Sequence, residues 1–463
     1  MLGTWRIFKV GFSSSRRSVG LLVLGSLLLG LGRTILEPAV QGLYRLDFAD
    51  GTALDIIFGA QSVGFCTALV LGAIVAEGIG EIRIIAAGMA LGVLSSLATV
   101  FASSALSLAA DRLIYGGGIG LYLAGATLAI LGQVNHRYRM TALGFVHGAY
   151  FLGAAGPLAV TNGLLSAWRL ASAGVTLGGL VWIGGWVWIW IGSGRLVKRR
   201  APLASAAVPQ EEEEGVPEEI QEGISGRAAV EGRAAAPGLK PHLVPLLLPA
   251  FLAFAAALGA RLFRDWLPAH LLDHWHLDLL RDGSLPGGLA AGTALGLILG
   301  GLMGQVVLGA SGNPRPAHQL PPGLGLLAGG GLVLFLPHFS DLSQIAMAAA
   351  GTGFCLGLAG ASIWSSALEI AIERPGWGVA AVALGFSIGS LAANFIPVGR
   401  ADGLVFLLWS GLLFLAGIAA FNLCPDRQVR GRIEAEKAPE ERKLDEDAVP
   451  KEPSSAGGAS SAA

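Results

Sequence analysis

The chain is built from runs of about 20 consecutive apolar residues, the length an α-helix needs to cross the hydrocarbon core of a bilayer, and these runs recur along nearly all of it. Twelve can be read, at 19–44, 53–76, 82–103, 106–132, 140–165, 170–193, 243–267, 285–309, 321–338, 342–370, 376–398 and 402–424. Lipid offers backbone N–H and C=O groups no partners, so spanning segments of this length satisfy themselves as helices. Hydrophobic residues make up 53% of the chain and charged residues 14%, beyond what soluble cores of this length need. The 69 glycines fit the same reading, because small residues let membrane helices approach closely. The expected fold is an all-α polytopic membrane protein of about twelve transmembrane helices.

The two halves of the chain echo each other. Leu121-Tyr122-Leu123-Ala124-Gly125-Ala126-Thr127 returns as Leu356-Gly357-Leu358-Ala359-Gly360-Ala361-Ser362, and Ala142-Leu143-Gly144-Phe145 with Gly148 returns as Ala383-Leu384-Gly385-Phe386 with Gly389. Arg33, Glu37 and Pro38 are answered by Arg261, Asp265 and Pro268. The offsets are roughly 228 to 241 residues in constant order, as parallel six-helix repeats would give. Two pseudo-symmetric six-helix bundles are therefore expected, at 19–195 and 242–424. The flanking segments read as an N-terminal stretch at 1–18, a disordered linker at 196–241 with Glu211 to Glu214 in a row, and a disordered tail at 425–463.

Basic residues set the orientation. Arg16, Arg17, Arg83, Arg137, Arg139, Lys198, Arg199, Arg200, Arg315 and Arg374 all fall on one side of a twelve-span arrangement, so the positive-inside rule makes both termini and the linker cytoplasmic, in the plasma (inner) membrane. Ser15-Arg16-Arg17 resembles the start of an export signal, but Arg33 and Glu37 interrupt the apolar run, which favours an uncleaved first span. A net charge of −1 gives no basic surface for nucleic acid. Cys66, Cys355 and Cys424 have no metal-like spacing and read as small core residues; no cofactor is expected. His270 and His274 could pair on a metal if helical, though an exposed polar lip is the plainer reading.

Ionisable groups within spans are costly, about 2.5–3.5 kcal/mol each at a helix centre, and so mark partners or water-filled cavities. Here they are Arg33 and Glu37 in the first span, Asp111 and Arg112 in the fourth, His147 in the fifth, Arg261, Arg264 and Asp265 in the seventh, and Glu369 in the tenth. Two readings of the first and seventh spans stand side by side. Each arginine is neutralised within its own helix at i, i+4, or Glu37 meets Arg261 and Asp265 meets Arg33 across a pseudo-twofold axis as an outer gate. Trp182, Trp186, Trp188 and Trp190 read as interface anchors of the sixth span.

Arg112-Leu113-Ile114-Tyr115-Gly116-Gly117-Gly118 resembles the fourth-span motif of the major facilitator superfamily of secondary transporters, an Arg followed four and six residues later by Gly. The resemblance covers nearly the whole chain outside the middle loop and tails. It implies that Arg112 is the conformationally or proton-coupled arginine of that motif. Ala73, Glu77, Gly80, Glu81 and Arg83 are similar to an eroded form of the superfamily's cytoplasmic signature, implying a cytoplasmic gate from Glu77 and Arg83. Gly32 and Pro38 look like the first-span pattern of drug and proton antiporters, whereas His147-Gly148 with Gly153 is similar to fucose-permease-like sugar transporters, so the subfamily stays open.

These readings converge on a secondary active transporter that moves a small organic solute by alternating access, working as a monomer in the lipid bilayer. Arg33, Glu37, Arg112 and His147 are the candidates for substrate binding or proton coupling. A non-transporting membrane assembly factor or sensor is the alternative, since erosion of the cytoplasmic signature is what relaxed gating would leave. No phosphate-cradling loop, nucleophile elbow or paired catalytic carboxylates points to an enzyme. If the outer gate pairs across the halves, exchanging the charges of Glu37 and Arg261 together should restore uptake that either single change removes, as measured in proteoliposomes.

Overall fold

The computed structural model describes residues 13–35, 51–159, 168–192, 244–268, 270–271, 284–339, 341–396 and 402–423. They form six helices in each half. The first half has α1 (Ser13–Thr34), α2 (Gly51–Ile79), α3 (Glu81–Phe101), α4 (Ala105–Gln133), α5 (His136–Ala159) and α6 (Trp168–Gly192). The second has α7 (Val244–Arg261), α8 (Ser284–Ser311), α9 (Pro314–Phe335), α10 (Leu342–Ile370), α11 (Pro375–Ala392) and α12 (Asp402–Ala420). Among the described residues, eleven of these are long and apolar enough to cross a membrane; the apolar run expected at 140–165 continues past the described end of α5, which has His147 midway and Pro157 near its end. The expected linker and tail, and most of the N-terminal segment, lie outside the described residues.

Burial is arranged for lipid. Val63, Leu94, Leu177, Val181, Leu407 and Leu408 point outward, whereas Asp111, Arg112, His147, His318 and Glu369 are buried, the arrangement a hydrocarbon solvent demands. Each half has its own core. In the first, Leu29, Met89, Tyr115, Ile119, Tyr122 and Trp182 pack together, and this core extends to Leu368, Val379, Ala380 and Ala383 of the second half. In the other, Leu252, Phe263, Leu326, Ile363, Trp409 and Leu413 do the same.

Polar tips of large side chains fix α1 inside the first half. Its carbonyl at Leu22 accepts from the Tyr122 hydroxyl at 2.7 Å, Leu29 from Tyr115 at 2.9 Å, and Leu21 from the Trp182 indole at 2.6 Å. This corrects one sequence expectation: Trp182 and Trp186 are not interface anchors but stack inside the bundle, ring centres 5.0 Å apart, and of the described tryptophans in α6 it is Trp188 that faces outward. The indole N–H has a carbonyl to bond in α1, so the ring can be buried without an unmet donor. The ninth helix also begins earlier than its apolar run, because Asn313 caps it by accepting from the Arg315 N–H at 3.1 Å and Pro314 opens its first turn.

The Arg112 motif is a packed ion pair. Arg112 Nη2 lies 3.1 Å from Asp111 Oδ2, and both residues are buried. Asp111 also accepts from the hydroxyls of Ser95, at 2.6 Å, and Thr99; Arg112 donates to Thr99 Oγ1 and, at 3.2 Å, to the Gly32 carbonyl of α1. Its guanidinium carbon sits 4.9 Å from the Tyr115 ring centre. The motif thereby ties α1, α3 and α4. Removing one partner strands the other charge, which costs about 3–5 kcal/mol in buried pairs. Arg112→Ala should therefore lower the melting temperature of detergent-purified protein sharply, and the paired change Asp111→Asn with Arg112→Met should recover much of the loss.

Candidate functional site

Between the halves lies a cavity of about 220 Å³ lined by α1, α2, α4 and α5 from one side and α7, α8, α10 and α11 from the other. Its walls are chiefly apolar, with Phe65, Phe151, Trp364 and Phe386 among them. Three arginines reach it: Arg33 in the last turn of α1, Arg261 in the last turn of α7, and Arg264 in the π-helical turn Leu262–Trp266 that follows. Arg33 Nη1 donates to the Tyr150 hydroxyl at 2.8 Å, and its guanidinium carbon lies 5.5 Å from that ring's centre. Cys66, on α2, lines the same cavity, so Arg33 and Arg261, from equivalent helices of the two halves, face one shared space.

Of the residues expected to bind substrate or protons, Arg33 and His147 line this cavity. Arg112 does not; it belongs to the buried pair described above. Glu37 and the side chain of Asp265 lie outside the described residues, and with them the expected cross-half pairs. His147 Nε2 is 3.0 Å from Thr127 Oγ1, whose own proton goes to the Leu123 carbonyl at 2.7 Å. That assigns the imidazole proton to Nε2 and leaves Nδ1 as an acceptor. The ring stacks on Trp364 of α10, centres 5.1 Å apart and planes 12° apart, joining the halves at the cavity floor. Phe65 and Phe386 join them again, edge to face at 6.1 Å. Elsewhere, His270 stacks on Trp266 at 4.8 Å, while His274 is outside the described residues.

The end of the molecule bearing Arg83, Arg137, Arg139, Arg315 and Arg374 is closed by contacts between the halves. Glu77 Oε1 accepts from the Gly376 N–H at the start of α11, at 2.7 Å, with Arg374 also in electrostatic reach. A carboxylate there meets the positive end of a helix. Gly376 is required by the approach: a β-carbon would run into the Ala73 carbonyl and the Glu77 side chain. The expected Glu77 and Arg83 clamp is not formed. Gly80, at φ +95°, turns the chain after α2, and Arg83 projects outward in the first turn of α3. Glu77 instead reaches the other half. On the α5–α8 interface, the Thr141 hydroxyl meets Gln305 and, at 3.2 Å, the Gly301 carbonyl.

A second polar cluster sits near the same end. Glu369 Oε2 of α10 is 2.9 Å from His318 Nε2 of α9, both buried, and Arg139 and His136 of α5 act on the carboxylate from the opposite half. Sequence reasoning marked Glu369 and missed His318, because a purely apolar reading starts the ninth span at 321. The Asn-Pro pair at Asn313 and Pro314 is the signal that extends the helix over His318.

Comparison with known proteins decides the family. Residues 22–397 match the Major Facilitator Superfamily over most of the chain. The protein belongs to that superfamily. It is thus a multi-pass integral membrane protein of a transporter family, in keeping with its all-helical fold. A segment of 175 residues is 31% identical to the 3-(3-hydroxy-phenyl)propionate transporter of Escherichia coli (strain K12), spanning 37% of this chain and 41% of that protein's length.

If Glu77 and Gly376 help to seal the basic end, Glu77→Ala and Gly376→Val should each make Cys66 several-fold more reactive toward a membrane-impermeant maleimide supplied from that side, in a Cys424→Ser background. Unchanged labelling rates in oriented vesicles would show that the seal lies elsewhere.

Proposed function

We propose that the protein is a secondary active transporter that carries a small organic solute by alternating access. The observation that carries this is a cavity shared by both halves, bounded by inter-half contacts of Glu77 and Thr141 at the basic end and of His147 with Trp364 and Phe65 with Phe386 at the cavity itself. A carrier needs contacts of this kind that break when the halves rock, and a solute that binds one state better than the other. By the positive-inside rule the basic end faces the cytoplasm, placing both termini there. The Glu77 contact also favours a gated transporter over the assembly-factor alternative. Although the signature around Glu77 is eroded, its carboxylate still spans the halves.

On this reading Arg33 and His147 contact the solute, Arg261 and Asp265 contribute to the outer gate, and Glu37 and Arg112 are the candidates for coupling to protons. The arylpropionate named for the E. coli relative is the first solute to try in uptake assays. Rocking is tested without any solute. Spin labels at Arg83→Cys and Arg374→Cys, one on each half at the basic end, should give two distance populations in lipid, the longer one from molecules open at that end. A single short distance under all conditions would defeat alternating access.

A further inference from the structure

Resting on the reading of the cavity as the transport site, we propose that its solute is an organic monoanion, a carboxylate held between Arg33 of one half and Arg261 of the other, with a flat apolar body beyond it. Three features of the lining lead there. First, three guanidinium groups reach the cavity, and among the described lining residues none is Asp or Glu. A guanidinium has several N–H donors in a planar fork that fits a carboxylate, so each arginine can keep an existing partner and still bind one.

Second, the rest of the lining suits an aromatic or similarly flat group. Ala253, Ala256, Ala257 and Ala260 share one face of α7 and make a smooth wall that ends at Arg261, and the rings of Phe65, Phe386 and Trp364 line the same cavity. Polar side chains are present as well, Thr34, Ser62, Thr293 and Ser390 among them, so a sugar is kept as a competitor in the test. Third, Gln61 Oε1 is buried at the cavity wall with no hydrogen-bond partner. Its amide can meet a hydroxyl or other polar substituent on the apolar body.

Position gives the anion a mechanical consequence. Arg33 and Arg261 end equivalent helices of the two repeats and both line the cavity. Two guanidinium groups repel one another, and an anion between them converts that repulsion into a tie across the outer end of the cavity. Solute binding would then favour closure on that side.

The test is ligand-induced stabilisation of the purified full-length protein, with benzoate and 3-phenylpropionate compared against benzamide, 3-phenylpropionamide, benzylammonium and glucose. The carboxylates should raise the melting temperature saturably, and the amides should bind at least about tenfold more weakly. Arg33→Gln and Arg261→Gln should each weaken carboxylate binding by about 10- to 100-fold, with Arg33→Lys losing less, which separates lost charge from misfolding. The inference is overturned if an amide or the ammonium binds as well as the carboxylate, if binding survives both Arg→Gln changes, or if no carboxylate binds. Flux assays separate it from the transport reading. Carboxylate binding without flux into proteoliposomes would leave the anion site standing and remove transport; flux of a neutral or cationic solute alone would do the reverse.

Discussion

Hydrocarbon cannot solvate a charge, and that constraint organises this molecule more than any single contact does. Every ionised group that enters the membrane must be paired within the protein or turned toward the shared cavity. The arginines show both solutions. Arg112 is sealed with Asp111, Ser95 and Thr99 and serves as a joint between α1, α3 and α4. Arg33, Arg261 and Arg264 instead line the space between the halves. The arginines thus divide into one held in a buried ion pair and three that face the cavity.

The same constraint explains why so much of the fold could be read directly. Apolar runs locate lipid-crossing helices because nothing else satisfies a backbone in hydrocarbon, and the run at 342–370 coincides with α10. Where the expectation failed, apolarity was the wrong guide. The start of α9 is set by Asn313 and Pro314, polar punctuation that hydropathy overlooks, and His318 was lost with it. Trp182 and Trp186 were assigned to the interface by composition alone, whereas the carbonyl of Leu21 gives the Trp182 indole a reason to be inside.

Site residues were legible in kind more than in arrangement. A charge or histidine in a span announces itself, so Arg33, His147, Arg261 and Glu369 could all be picked out. Their partners could not. That Glu77 reaches the start of α11 and not Arg83 depends on how the two halves dock, a relation almost 300 residues apart in the chain and carried by no local pattern. The internal repeat hinted at it. Thr127 and Ser362, equivalent in the two halves, both end up beside α5, one against His147 and the other against Met140.

One helix of the first half, α5, is placed between the halves. α5 has a polar first turn and a buried histidine, and it lies against α1 on one side and α8 on the other, through Gly153 and Gly144. Its neighbour α8 is made only after the first half and the linker have left the ribosome. The face of α5 that meets α8 therefore finds its partner only once the second half has been made, so packing of the first half is completed by the second.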